Sequence, residues 1–313
     1  MPPLQTLGSV LDAIGNTPVV KLKKLTPPSS ADVLVKLEYI GPTGSYKDRL
    51  ALAMVNGAEA RGVLKLGMRV VEYTGGSTGS SLAMVCGVKG YRFLAVTSDA
   101  FAGEKLATMR AFGAELHIIP SDQGKITPEL FDVMLGEAER LSHEPGNLYT
   151  NQFRNEDAVA GYMPIGRELL QQVGPDFDVF CGAVGTAGMI VGVSRALKAA
   201  NCKARIIALE PASSPVLSTG KGGPHRIEGT GAGFWPPHLA KEDFDEVRPI
   251  EEQTARETAR RLAREEGIFA GTSTGLNVAA ALQLAQELGA GHTVVTVAVD
   301  SGLKYLAGDL YSA

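Results

Sequence analysis

Cysteine is scarce in this chain of 313 residues: Cys86, Cys181 and Cys202 stand far apart and no CxxC occurs. That excludes a disulfide framework and a thiolate zinc site, and leaves buried, reduced thiols as the reading. The histidines, His117, His143, His225, His238 and His292, are equally dispersed, with no HExxH and no pair at ligand spacing, so no catalytic metal is expected. A surplus of positive charge is missing too. The formal charge of −4 gives no footprint for nucleic acid or an anionic membrane surface, and points to small-molecule ligands. No apolar run approaches the length of a membrane span. The opening "MPPLQTLGSVLDAIGNTPVV" has no basic segment followed by an apolar stretch, so a cytoplasmic protein is expected.

What is present is an ordinary soluble composition, 44% hydrophobic and 20% charged, with 37 glycines that imply tight turns and close backbone approaches. The length suits one large domain or two smaller ones. Short apolar runs at 33–38, 69–73, 92–98, 115–120, 177–184, 204–210 and 293–299 alternate with helical patterns at 78–89, 103–112, 128–141, 157–172, 188–200, 252–266 and 274–288. This alternation predicts an α/β protein whose mostly parallel sheets are covered by helices. Turn residues cluster in "HEPGNLYTNQF" at 143–153, which reads as a crossing between two sheet systems.

In such folds ligands gather beyond the carboxyl ends of strands. The stretch "GPTGSYKDRLALAMVNGAEAR" at 41–61 puts Lys47 in the first turn of a helix, with Ser45 and Asp48 spaced as a capping box. A helix N-terminus disfavours a second positive charge and so favours the neutral, nucleophilic amine that forms Schiff bases. "EYTGGSTGSS" carries small residues and hydroxyls, Thr74 to Gly79, into a helix, a pocket for a carboxylate or phosphate. "FCGAVGTAG" frees the backbone at Gly182, Gly185 and Gly188 before another helix, which suits a phosphate. It also approximates a dinucleotide fingerprint from Ala183, with Glu210 closing the next strand, so a nicotinamide-dependent oxidoreductase is a rival reading. "GIFAGTSTGLN" gives a third such loop at Gly271, Thr272, Ser273, Thr274 and Gly275, and "VVTVAVDSGLKYL" is a strand that halts at Asp300 and Ser301.

Taken together and in this order, these segments resemble the cysteine synthase (O-acetylserine sulfhydrylase) and cystathionine β-synthase group of fold type II pyridoxal phosphate enzymes. The likeness runs from "GNTPVVKL" at 15–22 through "EPASSPVLSTGKGGPHRIEGTGAGFWPP" at 210–237 almost to the C-terminus. It implies two three-layer α/β/α domains of the tryptophan synthase β type with the coenzyme in the cleft between them. Residues 13–40 plus 152–313 would form the larger, phosphate-binding domain, and 41–151 a smaller, mobile domain. Lys47 would carry the coenzyme as an imine and move the α-proton. Gly185, Thr186, Ala187 and Gly188 would hold its phosphate, with Ser77 and Ser273 among its further contacts and Ser301 facing the ring nitrogen. Thr74, Gly75, Ser77, Thr78 and Gln152 would take the substrate carboxylate, and Gly229 to Gly233 would line the cleft.

The implied reaction is β-replacement on an activated serine, O-acetylserine plus sulfide to cysteine plus acetate, by way of an aminoacrylate. The implied assembly is a homodimer acting on a small amino acid and a small nucleophile. Two loops depart from the family's usual TSGNT and GTGGT. Gly75 and Ser77 replace a serine and an asparagine, and Ala187 and Met189 stand in the phosphate loop, where Ala187 would be strained if its position needs positive φ. These changes leave open β-elimination from serine or threonine, β-replacement by another nucleophile, and a non-catalytic relative that only binds the coenzyme.

Overall fold

The computed structural model describes residues 6–124 and 127–312. Ten strands fall into two sheets: β1 (Val19–Lys21), β2 (Asp32–Leu37), β3 (Arg69–Tyr73), β4 (Arg92–Ser98), β5 (Glu115–Ile119), β6 (Asn147–Tyr149), β7 (Val179–Ala183), β8 (Arg205–Pro211), β9 (Glu246–Ile250) and β10 (Thr293–Ala298). The larger sheet has the order β1-β2-β10-β7-β8-β9 and the smaller one β5-β4-β3-β6. All pairs are parallel except the β1–β2 edge. The helices are α1 (Lys47–Ala60), α2 (Ser77–Lys89), α3 (Gly103–Ala111), α4 (Pro128–Ser142), α5 (Glu156–Gln172), α6 (Gly188–Ala199), α7 (Val216–Thr219), α8 (Glu252–Arg261) and α9 (Thr272–Leu288). The α/β reading with parallel sheets and helices on their faces holds.

Burial explains the layering. The central strands are apolar on both faces, as helix-covered parallel strands must be. One hydrophobic cluster joins α1 and α2 to α5 and α6 and reaches both sheets through Val70, Phe93, Phe180 and Val297. A second fills the space between the larger sheet and α8 and α9, and a third packs α4 on the outer face of the smaller sheet. A shared helical layer therefore lies between the two sheets, and the sheets' carboxyl edges face a common cleft.

Three short strands escape the periodicity. β1 and β6 are three residues each, too short for an alternating pattern, and β6 lies inside the 143–153 segment read as a crossing. β9 contains Pro249, which lacks a donor but is tolerated because β9 pairs only with β8 at the sheet's edge. The helix expected over 252–266 ends at Arg261 and continues as a π-helical turn through Glu266.

The capping box at α1 does not form. Tyr46 is the N-cap, and Asp48 turns back to accept from Thr43 N–H at 2.9 Å and Ser81 Oγ at 2.7 Å. Asp48 thereby ties the preceding turn to α2 instead of closing its own helix.

Beneath Lys47 lies a buried ion network. Arg49, 6% exposed, donates Nε to Glu38 at 2.7 Å and Nη2 to the same carboxylate at 2.9 Å. Its Nη1 and Nη2 reach Glu168 of α5 at 2.8 Å each. Lys36, fully buried, adds a 2.7 Å contact to Glu168. Burial alone would raise Glu168, but the hydrogen bonds and charges of Arg49 and Lys36 bring it down to about 2. A carboxyl held below its unfolded value stabilises the fold above that value, and the contribution disappears as pH falls from about 4.5 through about 2. Removing one partner from a buried, hydrogen-bonded network strands the others, so Arg49→Met is expected to lower the unfolding free energy by about 3–5 kcal/mol in chemical denaturation. A loss below about 1 kcal/mol would show that the network does not hold α1 in place.

Candidate active site

Lys47 opens α1 at the cleft floor, 8% exposed, with Nζ 4.8 Å from the Tyr46 ring centroid and 5.9 Å from that of Tyr162. Burial among these rings lowers its pKa to about 8, and Asp300 opposes that shift. Desolvation thus favours the neutral amine, at a position that is also the first residue of α1.

Around it converge the glycine loops. At the start of α2, Thr74 Oγ1 accepts from Gly76 N–H at 3.1 Å and Gly79 N–H at 3.0 Å, which folds the loop so that the helix N-terminus faces the cleft. Thr78 Oγ1 donates to Gln152 Oε1 at 2.8 Å, joining the two segments expected to share a ligand. Gln152 is fixed from behind: its Nε2 donates to Tyr73 O at 3.1 Å and its N–H to Glu72 at 3.1 Å. Glu72 is fully buried, accepts also from Thr150 Oγ1 at 2.7 Å, and has no partner for Oε1 among the described residues. Burial raises its pKa to about 8 despite these donors.

The loop before α6 is compressed against the cleft's far wall. A Cβ at Gly185 would lie 2.2 Å from the Gly229 carbonyl oxygen, so Gly185 and Gly229 must stay in contact. Ala187 has φ of 68° and precedes Gly188, the first residue of α6. The positive φ that its position needs is thus met by a residue with a Cβ, at a cost of about 1 kcal/mol. Met189 turns down onto the strand, its Cε filling the space that a side chain at Gly182 would need. The first-turn N–H groups of α6 have no partner within the helix, an arrangement suited to an anion. Ser273, 3% exposed, sits in the first turn of α9. Ser301 Oγ accepts from Leu303 N–H at 3.3 Å and caps a short turn, while the neighbouring Asp300 is buried at 4% exposure.

Sequence reasoning passed over several residues at this cleft. Lys105 of α3 forms an ion pair with Glu228, next to Gly229, and so links α3 to the segment between α7 and β9. Phe101 covers Gly75: a Cβ there would stand 2.6 Å from the ring. Lys304 reaches Ser77 Oγ at 3.4 Å. Of these, Glu228 lies in the glycine-rich 210–237 stretch, but its partner Lys105 is 123 positions away. Only the charge of Glu72 at the end of an apolar strand was a visible signal for its burial.

Glu210 lies elsewhere. Its carboxylate accepts from Leu217 N–H at 2.7 Å and from Ser218 N–H at 3.1 Å and Oγ at 2.5 Å, so it caps α7 and leaves no ribose contact. The nicotinamide reading is overturned with it, because the family model for pyridoxal-phosphate dependent enzymes matches residues 10–300. The chain belongs to that family, and it is an enzyme that uses pyridoxal phosphate. Among its relatives is the cysteine synthase of Staphylococcus aureus, 43% identical over 308 residues, covering 98% of this chain and 97% of that protein. The O-ureido-L-serine synthase of Streptomyces lavendulae is 38% identical, over 97% of this chain and 92% of its own length. The O-acetyl serine sulfhydrylase isoform 3 of Entamoeba histolytica superposes with a TM-score of 0.93 at 35% identity, over 100% of this chain and 94% of that one.

The cradle at Gly185–Gly188 and the buried amine of Lys47 fit a phosphate and an aldehyde respectively. Two expectations follow from the loop chemistry. Ala187→Gly relieves the positive φ and raises stability by about 1 kcal/mol, read as a higher unfolding midpoint; an unchanged or lower midpoint contradicts the strain. A carboxyl whose folded pKa is raised contributes stability below its unfolded value that is lost as pH rises through about 8. Glu72→Gln should therefore flatten the decline in stability between pH about 4.5 and 8, and an identical pH profile would contradict the assignment.

Proposed function

We propose that this enzyme performs β-replacement on O-acetylserine with sulfide, releasing cysteine and acetate. The observation that carries the reading is the buried, partly neutral Lys47 amine at the junction of the α2 loop and the α6 cradle, in a chain similar over nearly its whole length to a cysteine synthase. Pyridoxal phosphate, when bound, supplies the aldehyde and the electron-withdrawing ring that acidify the substrate's Cα–H.

The chain's residues do the rest. The N–H groups of Gly185, Thr186, Ala187 and Gly188, with the Thr186 hydroxyl, bind the phosphate. Thr74, Gly75, Ser77 and Thr78 at the α2 N-terminus take the substrate carboxylate, with Gln152 held against Thr78 for the same purpose. Gly229 walls the cleft. The ring nitrogen meets the neutral hydroxyl of Ser301, with Ser273 among the further contacts to the coenzyme. Lys47 Nζ removes the Cα proton and returns it at the end of the cycle, which a lysine can do only where burial keeps it partly neutral. Residues 41–151 act as the smaller mobile unit over a larger one formed by 13–40 and 152–313, and the Lys105–Glu228 pair closes the cleft and excludes water. The enzyme works as a homodimer in the cytoplasm, a reading supported by its three free, buried thiols and by an outward apolar groove lined by Val10, Met84, Val88 and Phe112.

A nucleophile other than sulfide is the second reading. Gly75 and Ser77 shorten the substrate loop, and a relative at 38% identity is named for O-ureido-L-serine. The purified enzyme is offered O-acetylserine with sulfide, then serine or threonine alone. Cysteine and acetate in the first case, without keto acid in the second, are expected; keto acid from serine or threonine alone would replace the proposal with an eliminase. Lys47→Ala should lower turnover by about 10²–10⁴-fold, and near-native turnover would refute the role of the amine.

A further inference from the structure

His238 is a buried histidine that the chemistry described above does not use, 6% exposed in the segment between α7 and β9. Its ring Nε2 lies 3.2 Å from the main-chain carbonyl oxygen of Gln152, 86 positions away. A carbonyl oxygen only accepts, so Nε2 carries a hydrogen and donates it. On the other side of the ring Nδ1 stands 3.7 Å from Glu156 Oε1, beyond hydrogen-bond distance, and Glu156 is exposed and bonded to Arg195 at 3.1 Å. The hydrogen bond of the ring is therefore the one to Gln152.

The turn that presents His238 is rigid. Pro236 and Pro237 fix two φ angles, Leu239 N–H donates to Pro236 O at 3.0 Å, and Trp235 Nε1 donates to Leu239 O at 2.8 Å. Leu239 is anchored in the hydrophobic cluster between the sheets. The earlier end of the same segment packs Gly229 against Gly185. One continuous stretch thus touches the loop before α6 at one end and Gln152 at the other.

Asn151 takes a left-handed φ of 48°, so the chain turns sharply there and the direction of Gln152 depends on what grips its two peptide groups. Glu72 of β3 takes the N–H at 3.1 Å, and His238 takes the carbonyl. The side-chain amide is then fully directed. Its oxygen accepts from Thr78 Oγ1 at 2.8 Å and its nitrogen gives one of two hydrogens to Tyr73 O at 3.1 Å, so the second hydrogen is the one it can offer an anion. We propose that His238 is a positioning residue for the substrate carboxylate: by holding the Gln152 carbonyl it aims that amide hydrogen into the cleft. The inference rests on the reading of Gln152 as a carboxylate contact. His238 acts through Gln152 and is not itself a catalytic residue.

Steady-state kinetics of the coenzyme-loaded enzyme with O-acetylserine and sulfide provide the test. His238→Leu should raise KM for O-acetylserine about tenfold and leave kcat within about twofold, the pattern of a lost contact that ground and transition states share. The dissociation constant of L-serine, read from the change it causes in the coenzyme's visible absorption, should rise by the same factor. His238→Gln, whose amide nitrogen reaches about as far as Nε2, should restore both values, and Glu156→Gln should change neither. If His238→Leu does not fold, His238→Asn serves, because its amide stops short of the Gln152 carbonyl. In a Gln152→Ala background either His238 substitution should add little further loss, since both act through one contact. Unchanged KM in the His238 variants, a fall in kcat as large as the rise in KM, or a full additional loss in the Gln152→Ala background would overturn the proposal. Gln152→Ala with wild-type KM would overturn the reading of Gln152 itself, and the positioning role with it.

Discussion

The guanidinium of Arg49, gripped by Glu38 on one side and Glu168 on the other, fixes where everything else in the cleft can be. Arg49 lies two residues beyond Lys47. Glu38 follows directly on β2, at the carboxyl edge of the larger sheet, and Glu168 belongs to α5 in the helical layer between the sheets. A planar fork that satisfies both carboxylates admits few orientations, so the first turn of α1 cannot rotate without stranding a buried charge. The bonds from Val299 and Gly44 to the neighbouring backbone complete the constraint. The Lys47 amine is thus held by charge below and by main chain beside it.

Above that base the site is built by withholding water. Lys47 loses proton affinity because two tyrosine rings replace its hydration. Glu72 is driven toward its neutral acid form by the same means, and in that form it still supports Gln152 through a backbone N–H. Opposite shifts in an amine and an acid, both from desolvation, bring the two groups to about the same pKa. Lys47 and Glu72 are therefore tuned by one physical variable.

The parts of this arrangement that were legible in the sequence were those written in backbone chemistry. Glycine and hydroxyl runs between strand and helix patterns located the α2, α6 and α9 loops, and the turn before Lys47 placed it correctly at the start of a helix. The position of Ala187 at positive φ was foreseeable as a conditional, since glycine is the usual occupant of such a turn. What stayed hidden was long-range side-chain pairing. Ser45 and Asp48 have the spacing of a capping box, but Thr43 and Ser81 offered Asp48 better donors, and Ser81 lies 33 positions away. Lys105 and Glu228 are separated by 123 positions, a pairing that no local pattern encodes. At the end of β10 the sequence pointed to Ser301 alone, and only the fold shows that its Oγ caps a short turn while Asp300 beside it is buried.

The ring of Phe101 resting on Gly75 couples the two positions. A serine at 75 requires the ring to shift, because its first carbon would stand 2.6 Å from it. Shrinking the ring first would leave a void over the bare backbone. A laboratory exchange of loops that ignores residue 101 therefore transplants half of a pair.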